Sequence, residues 1–232
     1  ANNQAIREST AEYVVLLNPD TVVGEDVFQK MIAFLDAHPK AGGLGVKMID
    51  GTGQFLPESK RGLPAPAVAF YKIIGLTRLF PHSRTFGRYH LGHLPENETS
   101  RIEILSGACM FLRKKTLDEV GLLDESFFMY GEDIDLSYRI TMGGYENWYL
   151  PEARIIHYKG ESTKKSSVNY VFVFYNAMAI FAKKHFTRKR PDVLAGLING
   201  SIYLSAAGAI VMRFLKRALL PMLDVGVLAL IL

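Results

Sequence analysis

Thiols are almost absent from this chain. Of its 232 residues a single one, Cys109, is cysteine, so no intrachain disulfide can form. That suits a reducing compartment. Cys109 lies inside the apolar run ILSGACMFL, where a packed core thiol is expected rather than a nucleophile. There is no initiator Met, no signal-peptide pattern, no internal repeat and no low-complexity segment. One large domain, or a domain with an appendage, is the expected organisation. The chain opens in a polar stretch and ends in mid-run at VGVLALIL, which leads us to expect a longer parent protein. Strong net charge is also lacking: the formal balance is +4, with a pI near 9.0. The cations are unevenly spread, however. Lys183, Lys184, Arg188, Lys189 and Arg190 form one cluster, and Arg213, Lys216 and Arg217 another. Such clusters attract nucleic acid or anionic lipid.

What is present is an alternation of apolar patterns. EYVVLLNPD is an unbroken apolar run stopped by turn residues, which predicts a buried strand. GEDVFQKMIAFLDAHP has helical spacing and ends before Pro39, and AGGLGVKMID is a second strand. Strand, helix, strand argues an α/β fold. Residues 55–100 are rich in Pro and Gly, and AVAFYKIIGLTRLF within them reads as an amphipathic helix on a membrane or a lid over a site. RIEILSGACMFLRK predicts a third strand, broken at Ser106-Gly107. KTLDEVGLLDESF is a short helix with Thr116 as candidate N-cap and Gly121 as candidate C-cap. A further helix stops at Gly143-Gly144, a short strand pair surrounds Pro151, and SVNYVFVFYNAMAIFAKKHF predicts a long apolar helix.

From Val193 to Met212 no residue carries a formal charge, a length that spans ~30 Å of hydrocarbon as a helix. Gly196 and Gly200 give GxxxG spacing. Cations flank both sides, so the positive-inside rule does not decide between a crossing and a re-entrant or interfacial helix. Their position beside this run favours lipid over nucleic acid as the partner.

Two acidic sites carry chemistry. Asp20 ends the first predicted strand, where ligands of open α/β sheets bind. A carboxylate there can hold a divalent cation on phosphates, although Asn-Pro-Asp is also plain turn chemistry. FMYGEDIDLSYRI places Glu132, Asp133 and Asp135 at a helix start, which the helix macrodipole alone would favour. The aromatics before them could exclude water and raise a carboxylate's pKa toward that of a useful base. His157, at the end of a later strand in IIHYKGEST, makes a convergent pocket of the two acidic sites. Elsewhere, His90 and His93 form an HxxH spacing without the further ligands a zinc site needs. Arg61 and Arg84 could hold phosphate but read better as solvated loop charges, and Trp148 and Tyr149 read as core residues or sugar-stacking platforms.

The stretches ANNQAIREST-AEYVVLLNPDT, ILSGACMFLRKKTLDEVGLLDESFFMYGEDIDLSYRI and GYENWYLPEARIIHYKGEST, in this order, carry a resemblance. The chain resembles the family 2 inverting glycosyltransferases of the GT-A fold. It is most similar to the rhamnosyltransferase-like branch that builds bacterial surface polysaccharides. The resemblance implies an α/β fold with a mixed, mostly parallel sheet between helices. It covers residues 1–187, without the N-terminal nucleotide-binding strands. Residues 188–232 would form a membrane-associated tail with a transmembrane or interfacial helix over 193–212.

The resemblance also implies roles. Asp133 would be the general base, with Glu132 beside it. Asp20 would be the last carboxylate of a DxD motif whose first position is Asn18, and His157 would complete a Mg²⁺ or Mn²⁺ site with Asp20. Ser106, Gly107 and Ala108 would line the acceptor pocket, with Trp148 a candidate stacking platform there, while Asp135 fits a structural role. The implied partners are a nucleotide-diphosphate sugar, a lipid-linked or polysaccharide acceptor, and membrane lipids. The implied location is the bacterial inner membrane, with the catalytic domain on the cytoplasmic face. The alternative is a non-catalytic membrane scaffold that keeps the shape to bind nucleotide or glycan.

Overall fold

The computed structural model describes residues 1–65, 67–68, 71, 75–158 and 168–187, with isolated positions between 200 and 211. The chain divides into two compact units, Ala1–Lys164 and Lys165–Leu232. In the first, a sheet is assembled from β1 (Tyr13–Leu17), β2 (Thr21–Val23), β3 (Ala41–Ile49), β4 (Ser100–Ile102), β5 (Cys109–Arg113) and β6 (Glu146–His157). Its order is β1-β5-β3-β6-β2, with β4 also paired to β6. The helices are α1 (Asn2–Glu8), α2 (Val27–Ala37), the short α3 (Leu76–Leu79), α4 (Lys114–Val120) and α5 (Glu132–Met142).

The sheet is mixed but not mostly parallel. Among the described residues β3 and β6 run parallel, while β1/β5, β3/β5, β2/β6 and β4/β6 are antiparallel. The parallel pair, β3 and β6, has the long intervening chain that parallel pairing requires.

Alternation along the strands sorts side chains into two cores. On one face Cys109 and Phe111 of β5 and Leu44, Val46 and Met48 of β3 pack with Val27, Met31 and Leu35 of α2. Each of those three helix side chains is fully buried, which stabilises by about 1.5–3 kcal/mol apiece. On the other face Met110 and Leu112 meet Ile6 of α1, Leu117 of α4 and Leu136 and Ile140 of α5. Close approach on this face needs Gly43: a Cβ there would lie 2.5 Å from the Leu105 side chain.

Several expectations change in detail. The run YVVLL forms a strand, but β1 ends the sheet on one side, so its side chains are half-exposed rather than buried. The residues around Pro151 form one strand, β6, with a register shift against β3 between Val46 and Lys47, because Pro151 interrupts the pairing without ending it. Thr116 lies inside α4, fully buried; Arg113 precedes the helix instead. Gly121 does end it, at φ 87°.

In the second unit α6 (Val168–Ala182) continues into a π-helical turn, Lys183–Thr187, where Phe181 meets the rings of His185 and Phe186. Among the described residues no helix is long and apolar enough to cross a membrane. The expected helix over 193–212 lies outside the described residues apart from isolated positions. Much of AVAFYKIIGLTRLF does too, leaving Leu76–Leu79 as its described helix.

Candidate active site

Asp20 and His157 meet because of strand register. Thr21 pairs with His157 in the β2/β6 ladder, and the Tyr158 N–H donates to the Asp20 carbonyl at 2.9 Å. This sets His157 Nε2 3.3 Å from Asp20 Oδ1, with both side chains largely buried. His157 Nδ1 is buried without a hydrogen-bond partner among the described residues. An oxygen and a nitrogen donor so placed suit a divalent cation that takes its remaining ligands from phosphate or water. Among the described residues no group of three His, Cys, Asp or Glu side chains gathers for a metal.

Two residues earlier the same turn reaches a second centre. The Asn18 N–H donates to the Ala108 carbonyl at 3.0 Å, extending the β1/β5 ladder, and Thr21 Oγ1 closes the turn on the Asn18 carbonyl at 2.6 Å. Asn18 lines a cleft of about 270 Å³ with Gly107, Glu132, Asp133 and Met110. Asp133 stands in the first turn of α5. Its Oδ2 accepts from the Gly107 N–H at 3.2 Å and from the Arg61 guanidinium, and its Oδ1 from the Ile134 N–H at 2.8 Å. Arg61 also donates to the Leu105 carbonyl. Burial disfavours the Arg61 cation, but Asp133, Tyr89 and Glu58 together outweigh it, and its pKa is raised.

Glu132 also lines the cleft, and its Oε2 is buried without a partner among the described residues. Burial first, and then repulsion from Asp133, push its carboxyl above the ordinary value. The turn that delivers this pair is strained: Tyr130 has φ 65° and Gly131 φ 94°. A non-glycine residue in that region costs of order 1–3 kcal/mol and recurs at functional sites.

A buried network fixes α5. Ser137 Oγ donates to the Asp133 carbonyl at 2.6 Å and accepts from the Leu105 N–H at 3.1 Å. Asn147 Nδ2 donates to the carbonyls of Ser137 and Glu103 at 2.9 and 3.0 Å. Asp135 is fully buried and paired with Arg139 at 2.8 Å, while Arg139 holds the carbonyls of Val120, Gly121 and Leu122. Its structural role stands.

Other expected site residues lie differently. Trp148, expected beside an acceptor, faces α2: its ring meets Phe34 and His38 at 5.6 Å, and Arg101 sits 5.1 Å from its centroid. Alternation on β6 puts it on the α2 side of the sheet. The Ala108 side chain packs in that same core, and its carbonyl accepts the Asn18 N–H. Ser106 is buried, and its carbonyl accepts the Cys109 N–H at 3.1 Å. Phe127 is buried, but Phe128 is 90 % exposed, so it walls no pocket. Arg61, expected in solvent, is the residue missed; its signal in the sequence was no more than an Arg next to Lys60 in a Pro-rich stretch. Cys109 is buried, which pushes its thiol up to about 12 and makes it inert. His90 and His93 line a separate cavity of about 450 Å³.

Residues 1–171 match the model of the glycosyltransferase-like family 2, and the chain belongs to that family. It is 27 % identical over 175 residues to the N-acetylglucosaminyl-diphospho-decaprenol L-rhamnosyltransferase of Mycobacterium tuberculosis, covering 75 % of this chain and 56 % of that protein. It is 24 % identical over 155 residues to the rhamnosyltransferase WbbL of Escherichia coli, covering 66 % and 54 %. The chain thus spans about half the length of these curated relatives. Among solved structures it is similar to the mannosyltransferase PcManGT of Pyrobaculum calidifontis, at 17 % identity and a TM-score of 0.47, over 98 % of this chain and 58 % of that one.

Proposed function

We propose that the chain is the GT-A catalytic portion of an inverting glycosyltransferase. It would move a sugar from a nucleotide-diphosphate donor to a lipid-linked or growing polysaccharide acceptor. The setting would be the cytoplasmic face of a bacterial inner membrane, with residues 1–187 as the catalytic domain and 188–232 as the membrane-associated tail. One observation carries the reading. Asp133 is fixed in a cleft beside Glu132 and Asn18, and the turn from Asn18 to Asp20 leads directly to the Asp20–His157 pair. The names of the relatives support glycan synthesis and make a rhamnosyl donor the first hexosyl donor to test.

The chemistry follows from the contacts. Both hydrogen bonds at Asp133 Oδ2 are committed to Arg61 and Gly107, and Oδ1 keeps a lone pair beyond its Ile134 contact. That lone pair takes the proton of the acceptor hydroxyl as its oxygen attacks the anomeric carbon and the diphosphate leaves. One displacement inverts the configuration, so one base suffices, unlike the carboxylate pair of glycosidases. Glu132, with its raised pKa and unpartnered Oε2, offers a hydrogen bond to a sugar hydroxyl. Asp20 and His157 would hold Mg²⁺ or Mn²⁺, which when bound neutralises charge on the leaving diphosphate.

The test is Asp133→Asn in the full-length protein, assayed by release of nucleoside diphosphate across a panel of sugar donors. We expect donor binding to survive and transfer to fall by a factor of about 10² or more. Near-normal turnover would reject the base assignment. Donor binding without transfer in the unaltered protein would instead favour the scaffold.

A further inference from the structure

Between Glu58 and Glu96 the chain has no acidic residue, yet it carries Lys60, Arg61, Lys72, Arg78, Arg84 and Arg88. This stretch therefore accounts for more than the whole net charge of +4. Some of these cations are turned inward: Arg61 to Asp133, and Lys60 to the Leu94 carbonyl. Arg88 is paired with Glu103 at 2.5 Å. Arg78 and Arg84 have no carboxylate partner among the described residues. Next to them in sequence lie Leu79 and Phe80, 68 % and 47 % exposed.

A single exposed Leu is ordinary. Two adjacent large apolar side chains on a built platform are less so. α3 is closed by the Leu79 and Phe80 N–H groups on the carbonyls of Gly75 and Leu76, at 3.1 and 2.9 Å. The loop after it folds back tightly. A Cβ at Gly87 would lie 2.0 Å from the Pro81 carbonyl oxygen, and His82 Nδ1 lies 2.7 Å from the Gly92 carbonyl oxygen. Phe80 rests on Phe86, ring centroids 5.8 Å apart, and Phe86 meets Tyr71 edge-on at 5.0 Å. The apolar tip is thus held out by packing rather than by fraying.

We propose that this tip is a membrane-docking surface for an anionic bilayer. Leu79 and Phe80 enter the boundary between headgroups and acyl chains, and Arg78 and Arg84 meet lipid phosphates. Charge complementarity selects this occupant: a stretch without any carboxylate is repelled by nothing on a phospholipid surface. The contact is independent of the C-terminal tail and of the transfer chemistry. It would bring the catalytic unit itself against the surface where a lipid-linked acceptor resides.

The test uses the full-length protein with Phe80→Trp, in which Trp148 and any further tryptophan are replaced by Phe, so that one indole reports from position 80. With vesicles containing phosphatidylglycerol, its emission should shift to the blue and be quenched by brominated acyl chains. Phosphatidylcholine vesicles should give neither change. Adding Arg78→Glu and Arg84→Glu should weaken the response by at least about tenfold at low salt. If the protein sediments with anionic vesicles while this indole stays in water, the tail alone is the anchor and the proposal is wrong. An equal blue shift with duplex DNA in the absence of lipid would also overturn it. Neither outcome bears on whether Asp133→Asn abolishes transfer, so the two readings fail separately.

Discussion

Asp133 owes its position to three separate parts of the chain: Arg61 on a Pro-rich loop, the Gly107 N–H after β4, and its own helix. Arg61 and Asp133 side chains are 16 % and 13 % exposed, so neither charge is well solvated without the other. Arg61→Met should therefore destabilise the fold by roughly 3–5 kcal/mol, chiefly by stranding the carboxylate. In an Asp133→Asn background the same substitution should cost much less. Denaturant titrations of the two single variants and the double variant check this; equal losses in both backgrounds would mean the pair is not coupled.

Glu132 makes a different prediction, about pH. Its folded-state pKa lies above the ordinary 4.5, so the folded state holds its proton longer than the unfolded chain. Below 4.5 both states are protonated and the group costs nothing. As pH rises, the unfolded chain ionises first and stability falls until the folded carboxyl ionises too; above that the penalty is constant. Glu132→Gln should melt like the parent near pH 4 and at a higher temperature near pH 7–8. A melting difference that does not vary with pH would refute this account of Glu132.

At the scale of elements, what was legible in the sequence was whatever local pattern decides. The spacing of Val27, Met31 and Leu35 gave α2, and Gly121 and Gly143 marked the ends of α4 and α5. Asp20, Glu132, Asp133 and His157 were visible as carboxylates and an imidazole next to predicted strand and helix ends. What failed depended on partners far along the chain. Strand direction is set by which strands pair, so a run such as YVVLL cannot declare that it will be an antiparallel edge. The face taken by Trp148 depends on the register of β6, which shifts near Pro151. Arg61 was illegible because its meaning comes from Asp133, 72 positions away. Ser137 and Asn147, which pin α5 to the Leu105 backbone and the Glu103 carbonyl, look in sequence like any polar residue on a helix or strand.

At the scale of the whole molecule, the turn from Asn18 to Asp20 joins two centres that need not act together in every experiment. The Asp133 cleft would handle the acceptor and its proton; the Asp20–His157 pair would handle the donor's diphosphate. This separation predicts a division among variants. A ligand that binds the folded state alone stabilises it by about 2.7 kcal/mol at a hundredfold excess over its Kd. In the full-length protein, Mn²⁺ with the correct nucleoside diphosphate should therefore raise Tm by several degrees, and either component alone by much less. Asp20→Asn should abolish that joint shift, because it removes the carboxylate from a pair of donors. His157→Ala should reduce it. Asp133→Asn should leave it intact, since Asp133 contacts Arg61, Gly107 and its own helix rather than the Asp20–His157 pair. Melting curves with UDP, GDP and dTDP, each with and without Mn²⁺, decide the matter. A joint shift that persists in Asp20→Asn would detach the metal from this pair, and a shift lost in Asp133→Asn would merge the two centres into one.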